Sequence, residues 1–322
     1  MLKNNFSRRR FLNLLSIFLP ASLLWSPSRA DQQQNTGNRS IKKNNSGTPS
    51  IGIALGAGGA NGLAHILMLE VLDEMDITPK QISGSSIGAI IGALYASGLS
   101  GNEIRELVEQ FIISPDEELL DEFSDQETFR WLDFIDVEFG KGGLLNSKGF
   151  ISFLYDELKQ KKFKQLKIPL KVIAGDLWKR EQIVLQSGNL LPAIEASMAL
   201  PGIFQPVVVN DRVLVDGGTV NPVPYDLLMD ECDIVIAIDV DGIRTKPENL
   251  IPGYLDTVFN SIKVMQRAIM TEKLRQQRPH IYISPHISNI RALEFYRASE
   301  VFEQAQPARE ELKRQLSKVL KA

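Results

Sequence analysis

Short apolar runs alternate with amphipathic stretches along the chain from residue 51 onward. The runs predict strands at Ile51–Leu55, Gln81–Ser83, Leu170–Ala174, Gln182–Leu185, Val207–Val209, Val213–Val215, Ile234–Asp239 and His280–Ile283. Stretches with helical spacing predict helices at Leu63–Met75, Ile87–Ser97, Asn102–Phe111, Phe150–Gln160, Leu191–Met198, Tyr254–Gln277 and from Arg291 onward. Because strands and helices interleave, we expect an α/β fold with three layers, α/β/α, around a mostly parallel central sheet.

The first 50 residues have a different pattern. Three arginines, Arg8–Arg10, lead into an apolar run, Phe11–Trp25, which is followed by small residues. This layout predicts a signal peptide over residues 1–30, and the paired arginines resemble the twin-arginine type. Residues 31–50 are polar and predict a flexible linker. The folded domain is therefore expected to span residues 51–322.

The apolar run also bears on where the protein works. At about 15 residues it is shorter than the roughly 20 that a helix needs to cross a bilayer. We therefore expect export to the periplasm or the medium. An uncleaved N-terminus that anchors the chain in the inner membrane is the alternative.

Charge and composition exclude several classes of function. The 322 residues include 36 Lys and Arg against 39 Asp and Glu, and five of the basic residues lie in the first 30 positions, which hold no acidic one. The remaining body is acidic, so a nucleic-acid partner is not expected. One cysteine, Cys232, and three histidines argue against a disulfide or a metal cluster. We expect no metal and no other cofactor.

One segment, Asp116–Phe139, departs from the alternating pattern. It carries ten acidic residues and one basic residue, Arg130, together with several aromatic residues. Two interpretations are open. The segment is either an acidic helical pair that packs its aromatic side chains on the core, or a mobile cap that offers them to an acyl chain or a membrane surface.

A G-x-S-x-G motif follows the second predicted strand. It reads Gly84-Ser85-Ser86-Ile87-Gly88, and a helix of small residues follows it. Glycines two positions before and after a serine relieve crowding at a sharp strand-to-helix turn, which lifts the serine oxygen into a cleft. The motif makes Ser86 a candidate nucleophile, although a glycine-rich turn without chemistry has the same pattern.

A glycine-rich loop follows the first predicted strand. Gly56, Gly58 and Gly59 lie in Gly56-Ala57-Gly58-Gly59-Ala60-Asn61-Gly62, just before a predicted helix. The loop suits either a phosphate or dinucleotide site or an oxyanion hole. The chain lacks the Lys-Ser/Thr of a P-loop and the later acidic residue of a dinucleotide fold. With Ser86 close behind, we favour an oxyanion hole formed by the amides of Gly58 and Gly59.

A carboxylate ends a later strand. Asp216 is followed by Gly217 and Gly218, which clear space around it, although Asp-Gly is also a common turn. His65 is interpreted as a packing or hydrogen-bonding residue. A triad of Ser86, an aspartate and His286 is the alternative catalytic arrangement.

These three motifs, in this order, resemble the bacterial patatin-like phospholipases of the neuropathy-target-esterase type. The similarity runs from Ile51 to at least Ile283 and includes the segment Ala196–Pro206 before the aspartate. The resemblance implies a patatin-like fold, a dyad of nucleophile Ser86 and base Asp216, and oxyanion donors at Gly58 and Gly59. Two departures are Asn61, where many relatives have Arg or Lys, and Ser85-Ser86-Ile87, where they have Thr-Ser-Ala.

The resemblance also implies an activity. We expect a serine lipid acyl hydrolase that acts on phospholipids or lysophospholipids through an acyl-enzyme, with peripheral contact to a membrane surface possible. A general carboxylesterase or thioesterase is one alternative. An exported lipid-binding protein of the same fold without turnover is the other, and Asn61 and the acidic-aromatic segment motivate it.

Overall fold

Eight strands form one sheet in the computed structural model, which describes residues 49–113, 154, 156–243 and 254–321. The strands are β1 (Ile51–Leu55), β2 (Gln81–Ser85), β3 (Leu170–Asp176), β4 (Glu181–Leu185), β5 (Val207–Val209), β6 (Arg212–Asp216), β7 (Ile234–Ile238) and β8 (Ile281–Ile283). Their order is β5-β6-β3-β2-β1-β7-β8, and β4 also pairs with β3. The run from β3 to β8 is parallel, whereas β4, β5 and β6 pair antiparallel.

Helices cover both faces of this sheet. They are α1 (Ala64–Glu74), α2 (Ile87–Ser97), α3 (Gly101–Ile113), α4 (Leu190–Met198), α5 (Tyr254–Gln276) and α6 (Ala298–Leu320). Alternate residues of β7 enter two different cores: Ile236 packs in the large cluster with α1, α2 and α6, and Val235 packs in a smaller one with Met270 of α5. Because successive side chains of a strand point to opposite faces, this division gives the predicted three layers.

The register on β3 brings two candidate residues together. Because β4 pairs along Val172–Asp176 on one edge of β3, β2 and β6 must share the other edge. On that edge Ser85 lies opposite Ile173 and Asp216 lies opposite Ala174, the next residue. Strand β2 runs parallel to β3 and β6 runs antiparallel to it, so the two strands end beside each other. This places Ser86, the residue after β2, next to Asp216.

The last helix begins later than its spacing predicts. We expected it from Arg291, but α6 begins at Ala298 after a short 3-10 turn. Glu294 accepts a hydrogen bond from the Arg291 amide at 2.8 Å and pairs with Arg297 at 3.0 Å. These contacts close a turn before the helix starts, so the expected start at Arg291 was wrong.

The predicted helix Phe150–Gln160 ends earlier than expected. In its described part, residues 154, 156 and 157 are helical and Leu158 is not. Lys162 forms an isolated antiparallel bridge with Asn189, and the Leu190 amide donates to the Lys161 carbonyl at 3.0 Å. This pairing draws the chain out of helical geometry.

Three expectations fall outside the described residues: the signal peptide at 1–30, nearly all of the linker at 31–50, and the acidic-aromatic segment Asp116–Phe139. Within the described ranges, none of the helices combines the length and apolar character that a membrane span requires.

Candidate active site

Ser86 is the single residue between β2 and α2. Its backbone has φ 56° and ψ −125°, a conformation that costs a non-glycine residue on the order of 1–3 kcal/mol. A Cβ on Gly88 would lie 2.2 Å from the Leu55 carbonyl oxygen, and one on Gly84 would lie 2.5 Å from the Gly88 oxygen. Only glycine fits at these two positions, and the turn between them has the geometry of a nucleophile elbow at a helix N-terminus.

Ser197 of α4 holds the strained backbone of Ser86. The Ser86 amide donates a hydrogen bond to Ser197 Oγ at 2.9 Å, and Ser197 is fully buried. The sequence placed Ser197 only within the segment Ala196–Pro206 and showed no role for it. Because the Ser86 amide is already bonded, it is not itself available as a donor to an oxyanion.

The Ser197 contact can be tested by removing one oxygen atom. In Ser197→Ala the buried Ser86 amide loses its acceptor, which costs about 1–3 kcal/mol, and the elbow loses its fixed position. We expect lower stability in urea unfolding and a turnover number reduced on the order of tenfold. The matched control is Ser97→Ala, because Ser97 is equally buried but bonds a carbonyl of its own helix, Leu94, at 2.7 Å. Equal effects of the two substitutions would contradict the conclusion that Ser197 holds the backbone of Ser86.

Asp216 lies at the end of β6, and 1% of it is exposed. Its amide donates to the Ala199 carbonyl at 3.0 Å. Its Oδ1 accepts a hydrogen bond from the Gly218 amide at 2.7 Å. Its Oδ2 makes no hydrogen bond of standard geometry within the described residues. One oxygen atom of the carboxylate is therefore engaged, and the other is available.

Burial raises the pKa of Asp216 from 3.8 to about 6. Three groups oppose this effect and lower the pKa: the Ser86 hydroxyl, the Gly218 amide and the charge of Lys263. The hydroxyl thus approaches the carboxylate without forming an aligned hydrogen bond, and catalytic hydrogen bonds are often long or poorly aligned until substrate binds. A carboxylate with a pKa near 6 is a better proton acceptor than an ordinary aspartate and is still ionised at neutral pH.

The glycine-rich loop lies against the ends of neighbouring elements. A Cβ on Gly58 would lie 2.6 Å from the Val240 carbonyl oxygen. Gly59 has φ +60°, and a Cβ there would lie 2.3 Å from the Ala292 oxygen. The amides on either side, those of Ala57 and Ala60, donate to backbone carbonyls, whereas those of Gly58 and Gly59 have no backbone acceptor within the described residues. Two adjacent amides are therefore available to an anion.

One segment, Asn221–Pro224, connects the three motifs. Ser85 Oγ donates to the Asn221 carbonyl at 2.6 Å, and Ser83 Oγ donates to the Pro224 carbonyl at 2.9 Å. The Ala57 amide of the glycine loop donates to the Pro222 carbonyl at 2.8 Å. The chain after Asp216 is thus bound to β2 and to the loop, which fixes the relative positions of all three motifs.

A pocket opens where these elements meet. It is lined by Gly58, Gly59, Ser86 and Asp216, and the other polar side chains among its described lining residues are Lys263 and Gln266 of α5. Apolar side chains form most of the remaining wall: Ile87, Ile90, Ile91 and Leu94 of α2, Ile104, Leu107 and Val108 of α3, and Leu154, Met198, Leu200, Phe204, Phe259, Ile262, Leu293 and Phe295. A small polar end adjoins a long apolar wall, which is the form of a pocket for an ester with an acyl chain.

Comparison with known families shows to which family the chain belongs. The family model described as "Patatin-like phospholipase" matches residues 53–229, more than half of the chain. The chain belongs to the patatin-like phospholipase family.

Known patatin-like proteins match it at moderate identity. An NTE family protein of Mycobacterium tuberculosis is 30% identical over 214 residues, which cover 64% of this chain and 53% of that protein. The neuropathy target esterase sws of Drosophila melanogaster is 29% identical over 59% of this chain and 13% of that protein. This chain thus spans about half the length of the first of these relatives and much less of the second.

A solved structure also aligns with this chain, at lower identity. The heterodimeric complex ExoU-SpcU from the type III secretion system of Pseudomonas aeruginosa aligns with a TM-score of 0.44 and 17% identity. The alignment covers 85% of this chain and 52% of that chain.

None of the three histidines of this patatin-like chain lines the pocket. His65 is buried, its Nε2 lies 2.8 Å from the Gly56 carbonyl oxygen, and burial lowers its pKa to about 4. The imidazole is therefore neutral and holds the glycine loop. This agrees with the interpretation of His65 as a packing or hydrogen-bonding residue. His286 is exposed and is not among the residues that line the pocket with Ser86 and Asp216.

Asn61 also lies outside the pocket lining. Its side chain is buried, and its Nδ2 donates to the Asp241 carbonyl at 3.4 Å. A Cβ on Gly242 would lie 2.2 Å from that nitrogen. Asn61 thus packs the glycine loop against the chain after β7.

Sequence reasoning missed Lys263 and Gln266. Both belong to the helix predicted at Tyr254–Gln277, but no motif distinguishes them from its other polar residues. Gln266 is buried, and its Nε2 would lie 2.5 Å from a Cβ on Gly218. Only the packing of α5 over the turn after Asp216 shows that these two side chains belong to the site.

Proposed function

We propose that this protein is a serine lipid acyl hydrolase that acts on phospholipids or lysophospholipids through a Ser86–Asp216 dyad. One observation carries the proposal: the same pocket is lined by a strained serine, a buried aspartate and two glycines. Among the described residues, one oxygen atom of the aspartate has no hydrogen-bond partner and the two glycine amides have no backbone acceptor. Membership of the patatin-like phospholipase family supports a lipid substrate.

The first half of the proposed reaction forms an acyl-enzyme. Ser86 Oγ attacks the ester carbonyl carbon while its proton passes to Asp216 Oδ2, the oxygen atom without another partner. The carbonyl oxygen becomes negative and accepts hydrogen bonds from the amides of Gly58 and Gly59, each worth on the order of 3–4 kcal/mol in the transition state. The ester C–O bond then breaks, and the leaving alcohol takes the proton from Asp216.

The second half releases the fatty acid. A water molecule attacks the acyl carbon as its proton passes to Asp216, and the same two amides stabilise the oxyanion. The bond to Ser86 Oγ breaks, and the serine recovers its proton from Asp216. Apolar side chains of α2 would lie along the acyl chain and exclude water from it. The α2 N-terminus adds a positive electrostatic potential at Ser86.

Covalent labelling and an acyl-release panel test the proposal. We expect a fluorophosphonate probe to label the wild-type protein and not Ser86→Ala. We also expect acyl release from phospholipids or lysophospholipids that falls on the order of 10⁵-fold in that variant.

The control for labelling is Ser97→Ala, which removes a buried serine hydroxyl outside the pocket and keeps Ser86. Release from short esters alone would favour a general carboxylesterase over a lipid hydrolase. A folded wild-type protein that neither reacts with the probe nor hydrolyses any ester would favour the lipid-binding alternative.

A further inference from the structure

Two charged side chains line the described part of the pocket, and they have opposite signs. Asp216 comes from β6 and Lys263 comes from α5. The charge of Lys263 lowers the pKa of Asp216, as the Ser86 hydroxyl and the Gly218 amide do more strongly, and so favours the ionised carboxylate. The wall around them is mostly apolar, and an attraction between unlike charges is stronger there than in water.

The Lys263 amine is turned inward. Its side chain is 29% exposed, but Nζ itself is buried and lies 2.9 Å from Asp241 Oδ1. Neither atom makes a hydrogen bond of standard geometry within the described residues. The exposed part is therefore the aliphatic stem, and the charged Nζ is shielded from water.

Asp241 is itself held in place. Its amide donates to Asp239 Oδ1 at 3.2 Å, and its carbonyl accepts from Asn61 Nδ2 at 3.4 Å. Asp239 is buried and accepts a hydrogen bond from the Tyr282 hydroxyl. Lys263 thus pairs with Asp241, and its charge also lowers the pKa of Asp239 and of Asp216.

We propose that Lys263, anchored by Asp241, is a positioning residue whose charge keeps Asp216 ionised so that it can accept the Ser86 proton. The inference rests on the proposed function and adds a residue to it. In this inference Lys263 does not contact the substrate. Its buried Nζ acts on Asp216 only through its charge. Burial alone would favour protonated Asp216, and a protonated carboxylic acid cannot take the serine proton.

The test is the pH profile of kcat/KM in the full-length protein, measured with an uncharged p-nitrophenyl ester and with a lysophospholipid. Lys263→Met is expected to move the acid limb of kcat/KM upward, by at most about one pH unit, on both substrates. Activity at alkaline pH should remain. Lys263→Arg should keep the wild-type limb. Asp241→Asn, which frees the lysine charge from its partner, should move the limb downward.

The matched control is Arg267→Met, which removes a cation of α5 that does not line the pocket; its limb should equal that of the wild type. A Lys263→Met limb that coincides with the wild-type limb would overturn the inference. An effect confined to the lysophospholipid would also overturn it, because Lys263 would then contact the substrate phosphate. If Lys263→Met does not fold, Lys263→Gln, which also removes the charge, decides by the same shift of the acid limb. A wild-type protein that hydrolyses no ester would instead overturn the proposed function.

Discussion

Asp216→Asn is expected to lose nearly all ester hydrolysis and to become more stable at neutral pH. The amide has the size of the carboxyl group and can keep the bond from the Gly218 amide, but it cannot accept the Ser86 proton. General base catalysis contributes up to about 10⁴-fold, so we expect a loss of kcat of that order. In the wild-type protein the acid limb of kcat/KM should lie near pH 6, the pKa of Asp216.

The gain in stability follows from the same raised pKa. The native state binds the Asp216 proton more tightly than the unfolded state, so the free energy of unfolding falls as pH rises from about 4 to about 6. Above pH 6 the buried carboxylate costs on the order of 3 kcal/mol at most. Asp216→Asn removes this cost, so urea unfolding at pH 8 should show a gain of about 1–3 kcal/mol over the wild type, and at pH 4 little difference.

His286→Ala is the control for Asp216→Asn. It should keep wild-type turnover, because His286 is exposed and does not line the pocket. Near-normal turnover in Asp216→Asn together with a large loss in His286→Ala would show that the dyad is wrong and that the triad operates.

Gly88→Ala is expected to destabilise the protein by about 3 kcal/mol or more. Its new methyl group would lie 2.2 Å from the Leu55 carbonyl oxygen, which is backbone of a central strand and cannot move aside. If the variant folds, the elbow must shift, and a displacement of about 1 Å in an active site can cost on the order of 100-fold in rate. Denaturant unfolding and ester turnover measure the two effects.

The same helix offers a matched control in Gly92→Ala. A Cβ on Gly92 would meet side-chain atoms, the nearest being Ile82 Cγ2 at 3.2 Å. The higher helix propensity of alanine, roughly 1 kcal/mol, offsets that contact, so stability should change by less than about 1 kcal/mol. If Gly88→Ala were as mild as Gly92→Ala, close packing of the elbow against β1 would not be the reason for its glycine.

Most elements of the fold follow from local pattern. The strand Ile51–Leu55 and the helix Ile87–Ser97 have the predicted bounds, because an apolar run and a small-residue helix are both read from neighbouring residues. The start of α6 could not be read in this way. Residues from Arg291 onward have helical spacing, but contacts of Glu294 with Arg291 and Arg297 close a turn first.

The residues of the candidate site also divide into those that a local motif predicts and those that only tertiary contacts show. Ser86, Asp216 and the loop glycines were found because each lies in a motif whose turn demands glycine at fixed positions. The positions of Ser197, Lys263 and Gln266 in the site were missed, because the residues that they contact or act on lie far away in the chain, where no local spacing connects them. Their function arises from contacts such as the bond from the Ser86 amide to Ser197 Oγ.

The sequence by itself determined the three glycine-bearing turns and the apolar runs between them, because backbone sterics and periodicity act over a few residues. The tertiary structure decided which of these turns meet. The shared edge of β3 places the end of β2 against the end of β6, and burial there raises the pKa of Asp216. Proton affinity depends on desolvation and on charges from other elements, such as Lys263, and these exist only once the sheet and α5 have packed together.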